Sequence, residues 1–333
     1  MPMPPQKNLI LLQSKKTIQA TGEYSNWEGV SNISEFKDPY GNFCFAYKQN
    51  KTNLVYVYSV ENEKITKKAN LKIRHGNTLG AVTEDSKGNY YLVTGESNSG
   101  DDTSKNTIWI SKYDPSSNYV IAVGDNGSSS IYSFYETGFY TKTPFDAGNC
   151  DVAVNGNLLS VNYARSMYSG HQSNSVLTIN TDTMQKQTAK GIYNSHSFGQ
   201  RVSAYQDGFI YASEGDCYPR AFTIDYVSGS ADTSDDYFAD HSGHITNDIF
   251  HFWVRPNALN DWNMYDVNDN FAHIGDLVNI NDERAAFIGT SATKLDSTAK
   301  KEKEQLFIQI FNPTVDLSSG TGFFTSGVEV GRK

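Results

Sequence analysis

The sequence predicts an all-β protein, and more narrowly a β-propeller with five full four-stranded blades. Hydrophobic residues make up only 38% of the chain, yet it contains 21 tyrosines and 18 phenylalanines, which favours many short strands over a helical bundle. Turn dipeptides recur between alternating apolar runs, and a further strand follows each of these hairpins. Four strands per unit, repeated roughly every 45 to 75 residues, is typical of propeller blades, which bury their faces by stacking.

Five hairpin turns define the predicted units, in the order in which they occur along the chain. Gly-Asn or Asp-Gly dipeptides between apolar runs supply the positive φ angles that a two-residue hairpin needs. In the last unit Asp-Glu replaces the glycine-containing pair, which makes this copy the weakest. The turns lie at Gly41, Gly88, Gly156, Gly208 and Asp282.

A third strand follows each hairpin after a loop of variable length. These strands begin with a polar residue, continue with β-branched or aromatic residues, and end at a turn. They are predicted at residues 53–59, 106–112, 174–180, 220–225 and 305–311. Fourth strands are weaker in the sequence, with examples at residues 118–123 and 321–324.

The two ends of the chain predict how the ring closes. Residues 8–14 and 17–20 resemble the third and fourth strands of a unit that lacks its first two. Propellers commonly complete one blade from both termini, because this removes an exposed strand edge. We therefore predict a single domain over residues 1–333 with a composite sixth blade, and insertions at about 125–147 and 228–271.

Charge and hydropathy exclude some partners. The formal net charge of −9 argues against nucleic acid, because nucleic-acid binding depends on clustered lysine and arginine. The apolar run at residues 9–12 is too short for a signal-peptide core or a membrane span. We therefore predict no nucleic-acid partner and no membrane insertion, and either a cytoplasmic location or a leader that has been replaced; the oligomeric state stays open.

Histidines lead three of the predicted units. His75, His196 and His273 stand at or near the start of the first strand, and Gly148 and Asn149 take the corresponding place in another unit. The first strand of a blade is innermost, so these side chains are expected near one mouth of the central channel. There they could bind a metal or act as acid and base. The favoured alternative is a hydrogen-bonding role that is repeated as part of the scaffold.

The loops after the second strands vary most and are expected to emerge together on one face of the propeller. Tyrosine and arginine are enriched at recognition hot spots, and function concentrates in such loops. An ion pair between Asp216 and Arg220 that merely rigidifies its turn is an equally supported alternative. The candidate ligand-binding residues are Tyr163, Arg165, Tyr168, His171, Asp216, Tyr218 and Arg220, together with His75, His196 and His273.

Two possible metal motifs are weak. The segment from Asp240 to His244, with Asp248 and His251 nearby, has an His-x-x-His spacing but no cysteine partner. The acidic set Asp85, Asp101 and Asp102 lacks the calcium-loop spacing. Walker, dinucleotide and nucleophile-elbow motifs are missing as well. We therefore expect no metal and no cofactor, and the sequence assigns no catalytic residue.

Three segments of the chain resemble a known group of repeats. SHSFGQRV (195–202), GDCYPRAF (215–222) and NYARSMYSGHQSN (162–174) are similar to propeller repeats of uncharacterised bacterial cell-surface proteins. The resemblance covers roughly residues 74–312. It implies an extracellular or cell-surface propeller module that is used for display or binding.

Two functions of different classes follow. The first is a non-catalytic extracellular binding module that recognises a glycan or protein ligand through loops on one face, so the sequence leans away from an enzyme. The alternative is a polysaccharide-degrading propeller enzyme, either a lyase or a hydrolase. In that case the channel histidines and Glu214 or Asp216 are the expected acid and base.

Overall fold

The computed structural model describes residues 33–100, 102–127, 140–145, 148–167, 172–187, 197–215, 221–229, 244–247, 273–292, 304–314 and 328–329. Over these ranges the regular elements are all β-strands, as the sequence predicts. No helix within them is long and apolar enough to cross a lipid bilayer. The prediction of an all-β fold is confirmed.

Twenty strands form five four-stranded antiparallel sheets that follow one another along the chain. The first blade contains β1 (Ile33–Lys37), β2 (Phe43–Lys48), β3 (Leu54–Glu61) and β4 (Lys64–Lys72). The second contains β5 (Thr78–Glu84), β6 (Tyr90–Gly95), β7 (Ile108–Tyr113) and β8 (Tyr119–Asp125). The third contains β9 (Thr141–Pro144), β10 (Cys150–Asn155), β11 (Leu158–Met167) and β12 (Gln172–Asn180). The fourth contains β13 (Ser197–Tyr205), β14 (Gly208–Gly215), β15 (Ala221–Val227) and β16 (His244–Asn247). The fifth contains β17 (His273–Asn281), β18 (Arg284–Ala292), β19 (Glu304–Phe311) and β20 (Val328–Glu329).

The third blade departs from the simple meander of the others. Blades one, two, four and five run in chain order from their first strand to their fourth. In the third, β9 pairs with the far end of β11, where Arg165 faces Pro144. Outside β12 the described chain makes only an isolated bridge between Ile179 and Lys186. The blade is therefore a three-stranded meander extended by a strand from the first predicted insertion.

The first strands of consecutive blades pack side by side. Close contacts join β1 to β5, β5 to β10, β10 to β13 and β13 to β17, and all five of these strands line one cavity. Such radial stacking of small sheets around a common centre is the arrangement of a five-bladed propeller. The segments predicted to complete a sixth blade, residues 8–14 and 17–20, lie outside the described residues.

The predicted strands agree well with the observed ones. Each predicted third strand overlaps an observed one, namely β3, β7, β12, β15 and β19, and the fourth strand predicted at residues 118–123 is β8. The last strand of the fourth blade, β16, lies inside the second predicted insertion. The last strand of the fifth is β20, whereas the prediction at residues 321–324 falls outside the described residues.

The structure corrects part of the prediction of two-residue hairpin turns. Gly41, Gly88 and Gly156 have positive φ angles, as expected, but the turns at the first two span five residues instead of two. In the fourth unit the positive φ belongs to Gln206. Gly208 is needed there for a different reason, because a Cβ at that position would lie 2.0 Å from the carbonyl oxygen of Val227.

Candidate active site in the central channel

The five inner strands surround a cavity of about 1180 Å³. Every blade contributes to its wall, from β1 of the first blade to β17 of the fifth. Small-molecule sites are usually concave and of several hundred Å³, with a few polar groups that orient the ligand. A cavity of this size accommodates a small-molecule ligand, and its wall carries charged side chains.

Asp151, on β10, stands where the third blade meets the fourth. Its Oδ2 accepts a hydrogen bond of 2.9 Å from the backbone N–H of Val202 on β13. Its Oδ1 accepts one of 2.8 Å from the N–H of Val152, whose own side chain packs into the core between the second and third blades. The carboxylate is therefore held by backbone donors of two neighbouring inner strands while it lines the cavity.

Arg201 and Asp276 continue the same wall across the next junction. The Arg201 Nε donates to the carbonyl of Gly275 at 2.9 Å, and Nη2 donates to that of Ile274 at 3.3 Å, so the guanidinium of β13 reaches over β17. Asp276 follows directly on β17 and is exposed to the cavity. Its Oδ1 accepts a hydrogen bond from the N–H of Leu277 at 2.8 Å. An arginine thus lies between two carboxylates on adjacent inner strands.

The electrostatics of this wall distinguish Asp151. Burial raises the pKa of its carboxyl group to about 6; the nearby charge of Asp276 adds to the rise, while Arg201 and the two backbone hydrogen bonds oppose it. A carboxyl group with this pKa can give up or take a proton close to neutral pH. Pairs of carboxyl groups in different environments are the usual arrangement for acid and base roles.

Two polar side chains flank the start of β17. His273 is the first residue of that strand, is half-buried and lines the cavity, as the sequence predicts. Glu214, near the end of β14, is fully buried, and its Oε2 accepts a 3.3 Å hydrogen bond from the N–H of Ile274. Glu214 therefore helps to fix the strand that carries His273 and Asp276.

His75 does not extend this wall. Its ring stacks on the indole of Trp109, with centroids 4.3 Å apart and an interplanar angle of 18°. Its backbone carbonyl accepts a hydrogen bond from the hydroxyl of Thr94. For this histidine the contacts agree with the scaffold alternative. In the third unit Asn149, which takes the place of the histidine, exchanges two hydrogen bonds with the backbone of Gln200.

Tyr163 and Arg165 lie in a strand, which corrects the prediction of a loop beginning at residue 162. Strand β11 continues to Met167 because it pairs with β12 on one side and with β10 and β9 on the other. Both side chains are buried. The Arg165 guanidinium donates to Ser173 Oγ at 3.0 Å and to the carbonyl of Gly127 at 2.5 Å. Their role in ligand binding stays a prediction.

Several other predicted residues fall outside the described part of the chain. Within the described ranges, no group of three or more histidine, cysteine, aspartate or glutamate side chains could hold a metal ion. Asp85, which belongs to the weak calcium motif of the sequence, accepts hydrogen bonds from the backbone N–H groups of Lys87 and Asn89 in its hairpin turn. Outside the description lie Tyr168, His171, His196, Asp216, Tyr218, Arg220, Asp101, Asp240, Asp248 and His251.

The sequence contained a signal for the channel wall that the prediction missed. Asp151, Arg201 and Asp276 are each a charged residue inside the first strand of a unit, five to seven residues before its turn. A charge in the innermost strand of a blade has to face either the channel or a neighbouring blade, so the unit alignment marks these positions as candidates. It marks Glu35, Lys37 and Glu84 in the same way and does not choose among them. The prediction selected the histidines at the start of the first strands and not the charged residues farther along them.

Comparison with known proteins gives a fold likeness and no family. No protein-family model matches the chain, and no curated protein matches it. A Trypanosoma rangeli sialidase matches at a TM-score of 0.47 and 12% identity, over 85% of this chain and 47% of its own. An exo-β-1,3-galactanase of Phanerochaete chrysosporium matches at 0.42 and 7%, over 88% and 62%. The hydrazine synthase of Kuenenia stuttgartiensis matches at 0.41 and 11%, over 78% and 63%.

The chain spans about half the length of the sialidase that it resembles. The sialidase and the galactanase are enzymes that act on glycans, and the prediction of a non-catalytic binding module is corrected on this finding. At this degree of similarity the likeness assigns no residue role to this chain, so the chemistry is argued below from its own channel.

Proposed function

We propose that this chain is a glycan-processing enzyme, a glycoside hydrolase whose reacting groups line the central channel. The observation that carries the proposal is the channel wall formed by Asp151, Arg201 and Asp276. It places two carboxyl groups and one guanidinium on adjacent inner strands, and burial brings the pKa of Asp151 to about 6. The rest of the wall supplies backbone and hydroxyl groups of the kind that orient a sugar ring.

The proposed reaction uses the two carboxyl groups differently. Asp151 in its protonated form donates its proton to the oxygen of the glycosidic bond as the bond to the anomeric carbon breaks. The more exposed Asp276 stabilises the positive charge that develops on the sugar, or removes a proton from the attacking water. Water adds its oxygen to the anomeric carbon and gives its proton to Asp276 or to the Asp151 carboxylate, and the leaving sugar departs as an alcohol, so atoms and charge balance.

Arg201 is a positioning residue in this mechanism. Its hydrogen bonds to Gly275 and Ile274 hold β17, and with it Asp276, against β13. Its positive charge also limits how far the pKa of Asp151 can rise above its usual value. Loss of Arg201 should therefore change the pH profile of the reaction as well as its rate.

The test is a turnover screen on the full chain with aryl glycosides and natural oligosaccharides. We expect hydrolysis of at least one glycan, with kcat/KM reduced by about 10²–10⁴-fold in Asp151→Asn and in Asp276→Asn. Asp182→Asn, at a half-exposed carboxylate on the outside of the third blade, is the matched control and should retain full activity. Products with unsaturated ends would indicate a lyase instead, and full activity in Asp151→Asn would overturn the proposal.

We also propose that the enzyme works outside the cell or on its surface. The proposal rests on the similarity of the GDCYPRAF and NYARSMYSGHQSN segments to repeats of bacterial cell-surface proteins. Fractionation of the producing cells, followed by detection of the chain with an antibody, tests it. Recovery in the cytoplasmic fraction alone would contradict it.

A further inference from the structure

The third and fourth blades meet along two inner strands, β10 and β13, that belong to different sheets. In the described sheets β13 is an edge strand that pairs with β14, so its other edge presents backbone N–H and C=O groups to the neighbouring blade. Such groups need hydrogen-bond partners once they are buried. Side chains of the third blade supply several of these partners, and the first of them comes from Asn149, directly before β10.

Asn149 makes two hydrogen bonds to one residue of β13. Its Oδ1 accepts from the backbone N–H of Gln200 at 2.6 Å, and its Nδ2 donates to the carbonyl of the same residue at 2.8 Å. The side-chain amide thus takes the place of a residue on a paired antiparallel strand. Two residues farther along each chain, Asp151 accepts from the N–H of Val202 at 2.9 Å. The two contacts fix a single register between the inner strands of these blades.

Gly148 allows the two chains to come this close. A Cβ at Gly148 would lie 2.0 Å from the carbonyl oxygen of Phe198 and 2.3 Å from the Cβ of Ala164. A side chain at this position would therefore push the start of β10 away from β13. Gly148 and Asn149 occupy the place that histidines take in three other units, and here the pair sets the separation and the register of the junction.

The carbonyl that Asn149 holds is also a contact of Arg201. The carbonyl oxygen of Gln200 accepts a further hydrogen bond, at 2.7 Å, from Nη1 of Arg201. The Gln200 side chain is fully buried, and its Oε1 accepts from Ser213 Oγ on β14 at 2.7 Å. One fixed carbonyl is therefore shared by the amide of Asn149 and the guanidinium of Arg201. Loss of that amide would disturb Arg201 through this carbonyl, and Asp151 through a shift of β10.

We propose that Asn149 is a positioning residue, which holds Asp151 and Arg201 in the arrangement that the reaction needs. The inference rests on the proposed function, in which both groups act from the channel wall. Reacting groups have to be held to within a fraction of an ångström, and neighbouring side chains that lock the backbone provide this precision. Both polar atoms of the Asn149 side chain bond to Gln200, so its influence on the reaction passes through β13.

The pH profile of kcat/KM for the wild type and for Asn149→Ala tests the proposal. The charge of Arg201 and the N–H of Val202, both on β13, lower the pKa of Asp151, and both contacts weaken when β10 and β13 separate. Asp151 acts in its protonated form, so we expect the alkaline limb to move to higher pH by at least about 0.5. We expect kcat to fall about 10–100-fold and KM to change much less. A limb that stays in place, or moves to lower pH, overturns the proposal.

Asn155→Ala is the matched control, because Asn155 joins the same two blades at the other end of β10. Its Nδ2 donates to the carbonyls of Gln206 and Gly208 at 3.0 and 2.8 Å. Its loss should lower stability to an extent similar to that of Asn149→Ala and leave the pH profile in place. An equal movement of the limb in Asn155→Ala would show that any loosening of the junction is sufficient, which overturns the specific role of Asn149.

Asn149→Ser is a second variant, for which the first two blades supply the model. There the Ser34 hydroxyl accepts from the N–H of Val82 at 2.8 Å and donates to its carbonyl at 3.4 Å, so a serine can make both bonds. The hydroxyl is shorter than the amide, so the limb of Asn149→Ser should lie between those of the wild type and of Asn149→Ala. If Asn149→Ala does not fold, a wild-type profile in Asn149→Ser overturns the proposal.

An NMR titration of the Asp151 carboxyl carbon separates this inference from the proposed function. It reads the pKa of Asp151 without turnover, and Asp151→Asn identifies the signal. A rise of this pKa in Asn149→Ala, with none in Asn155→Ala, supports the positioning role whether or not a glycan is hydrolysed. An unchanged pKa overturns that role even where hydrolysis is observed, whereas full activity of Asp151→Asn overturns the proposed function.

Discussion

Aspartates at the hairpin tips of the first two blades and the aspartate in the channel wall are the same residue type in opposite situations. At the tips, Asp38, Asp85 and Asp114 each begin a turn that ends in an asparagine four residues later. Each carboxylate accepts the backbone N–H groups of the second and the fourth following residue and the amide of that asparagine. In the channel, Asp151 accepts two backbone N–H groups.

The pKa values of these groups differ accordingly. Burial acts to raise the pKa of Asp85, but hydrogen bonds from Asn89, Tyr91 and Lys87 outweigh it, and the pKa lies below its usual value. Asp38 follows the same pattern, with Asn42 and Lys68 as donors. For Asp151 the effect of burial outweighs that of Arg201 and the backbone hydrogen bonds, and the nearby charge of Asp276 raises the pKa further. The number of donors that face a buried carboxylate thus decides whether its pKa lies below or above its usual value.

The largest effect on stability is expected where a tip aspartate also accepts from a buried side chain. Asp85→Ala removes three hydrogen bonds that shape the turn and a fourth from the buried Tyr91 hydroxyl at 2.9 Å. We expect a loss of about 2–4 kcal/mol in the free energy of unfolding at pH 7, measured by urea denaturation. The loss should shrink as the pH falls through the lowered pKa of Asp85, since the protonated wild type no longer benefits from its charge. A loss below about 0.5 kcal/mol at pH 7 would contradict this structural role.

The contribution of Asp151, in the channel wall, to stability should change with pH in the opposite direction to that of Asp85. Its pKa in the folded chain, about 6, lies above the value of 3.8 for a free side chain, so folding favours its protonated form. Its contribution to stability is therefore fully present below pH 3.8 and is lost as the pH rises through 6. We expect the stability of Asp151→Asn relative to the wild type to rise by about 1–2 kcal/mol between pH 4 and pH 7.5. The amide cannot accept one of the two backbone hydrogen bonds, and this loss is the same at both pH values.

Urea denaturation of both chains across this pH range measures that difference. A stability difference that does not change between pH 4 and pH 7.5, with the variant less stable throughout, would show that the Asp151 carboxylate holds the third and fourth blades together. In that case Asp151 has the same structural role as the hairpin-tip aspartates, and the contrast between the two regions disappears. A more stable but inactive variant would instead mark a group kept for chemistry at the expense of stability.

The smallest effect on stability is expected at Asp114, the third of the hairpin-tip aspartates. Asp114 makes the same three hydrogen bonds as Asp85, but its turn is exposed to solvent, and within the described ranges no buried hydroxyl donates to it. Asp114→Ala should shift the urea midpoint in the same direction as Asp85→Ala, and by less. If the two shifts were equal, the turn itself would account for the whole effect, and the hydrogen bond from Tyr91 would contribute nothing.

Features that depend on near neighbours in the chain were predictable from the sequence. Glycine at a turn and alternation within a strand are local requirements, so the hairpins at Gly41, Gly88 and Gly156 and all five third strands are found where they were expected. The prediction was weaker for β9 and β16. Both lie in segments taken as insertions, because a short strand is specified mainly by the edge that it joins.

The sequence by itself therefore determined the repeat, the strand class and the propeller arrangement, because each rests on a pattern of period two and on turn chemistry. Only the tertiary structure decided the candidate site. Asp151, Arg201 and Asp276 are fifty and seventy-five residues apart in the chain, and they meet because β10, β13 and β17 stand side by side around the channel. Burial and the two neighbouring charges then set the pKa of Asp151, and both are properties of the assembled ring.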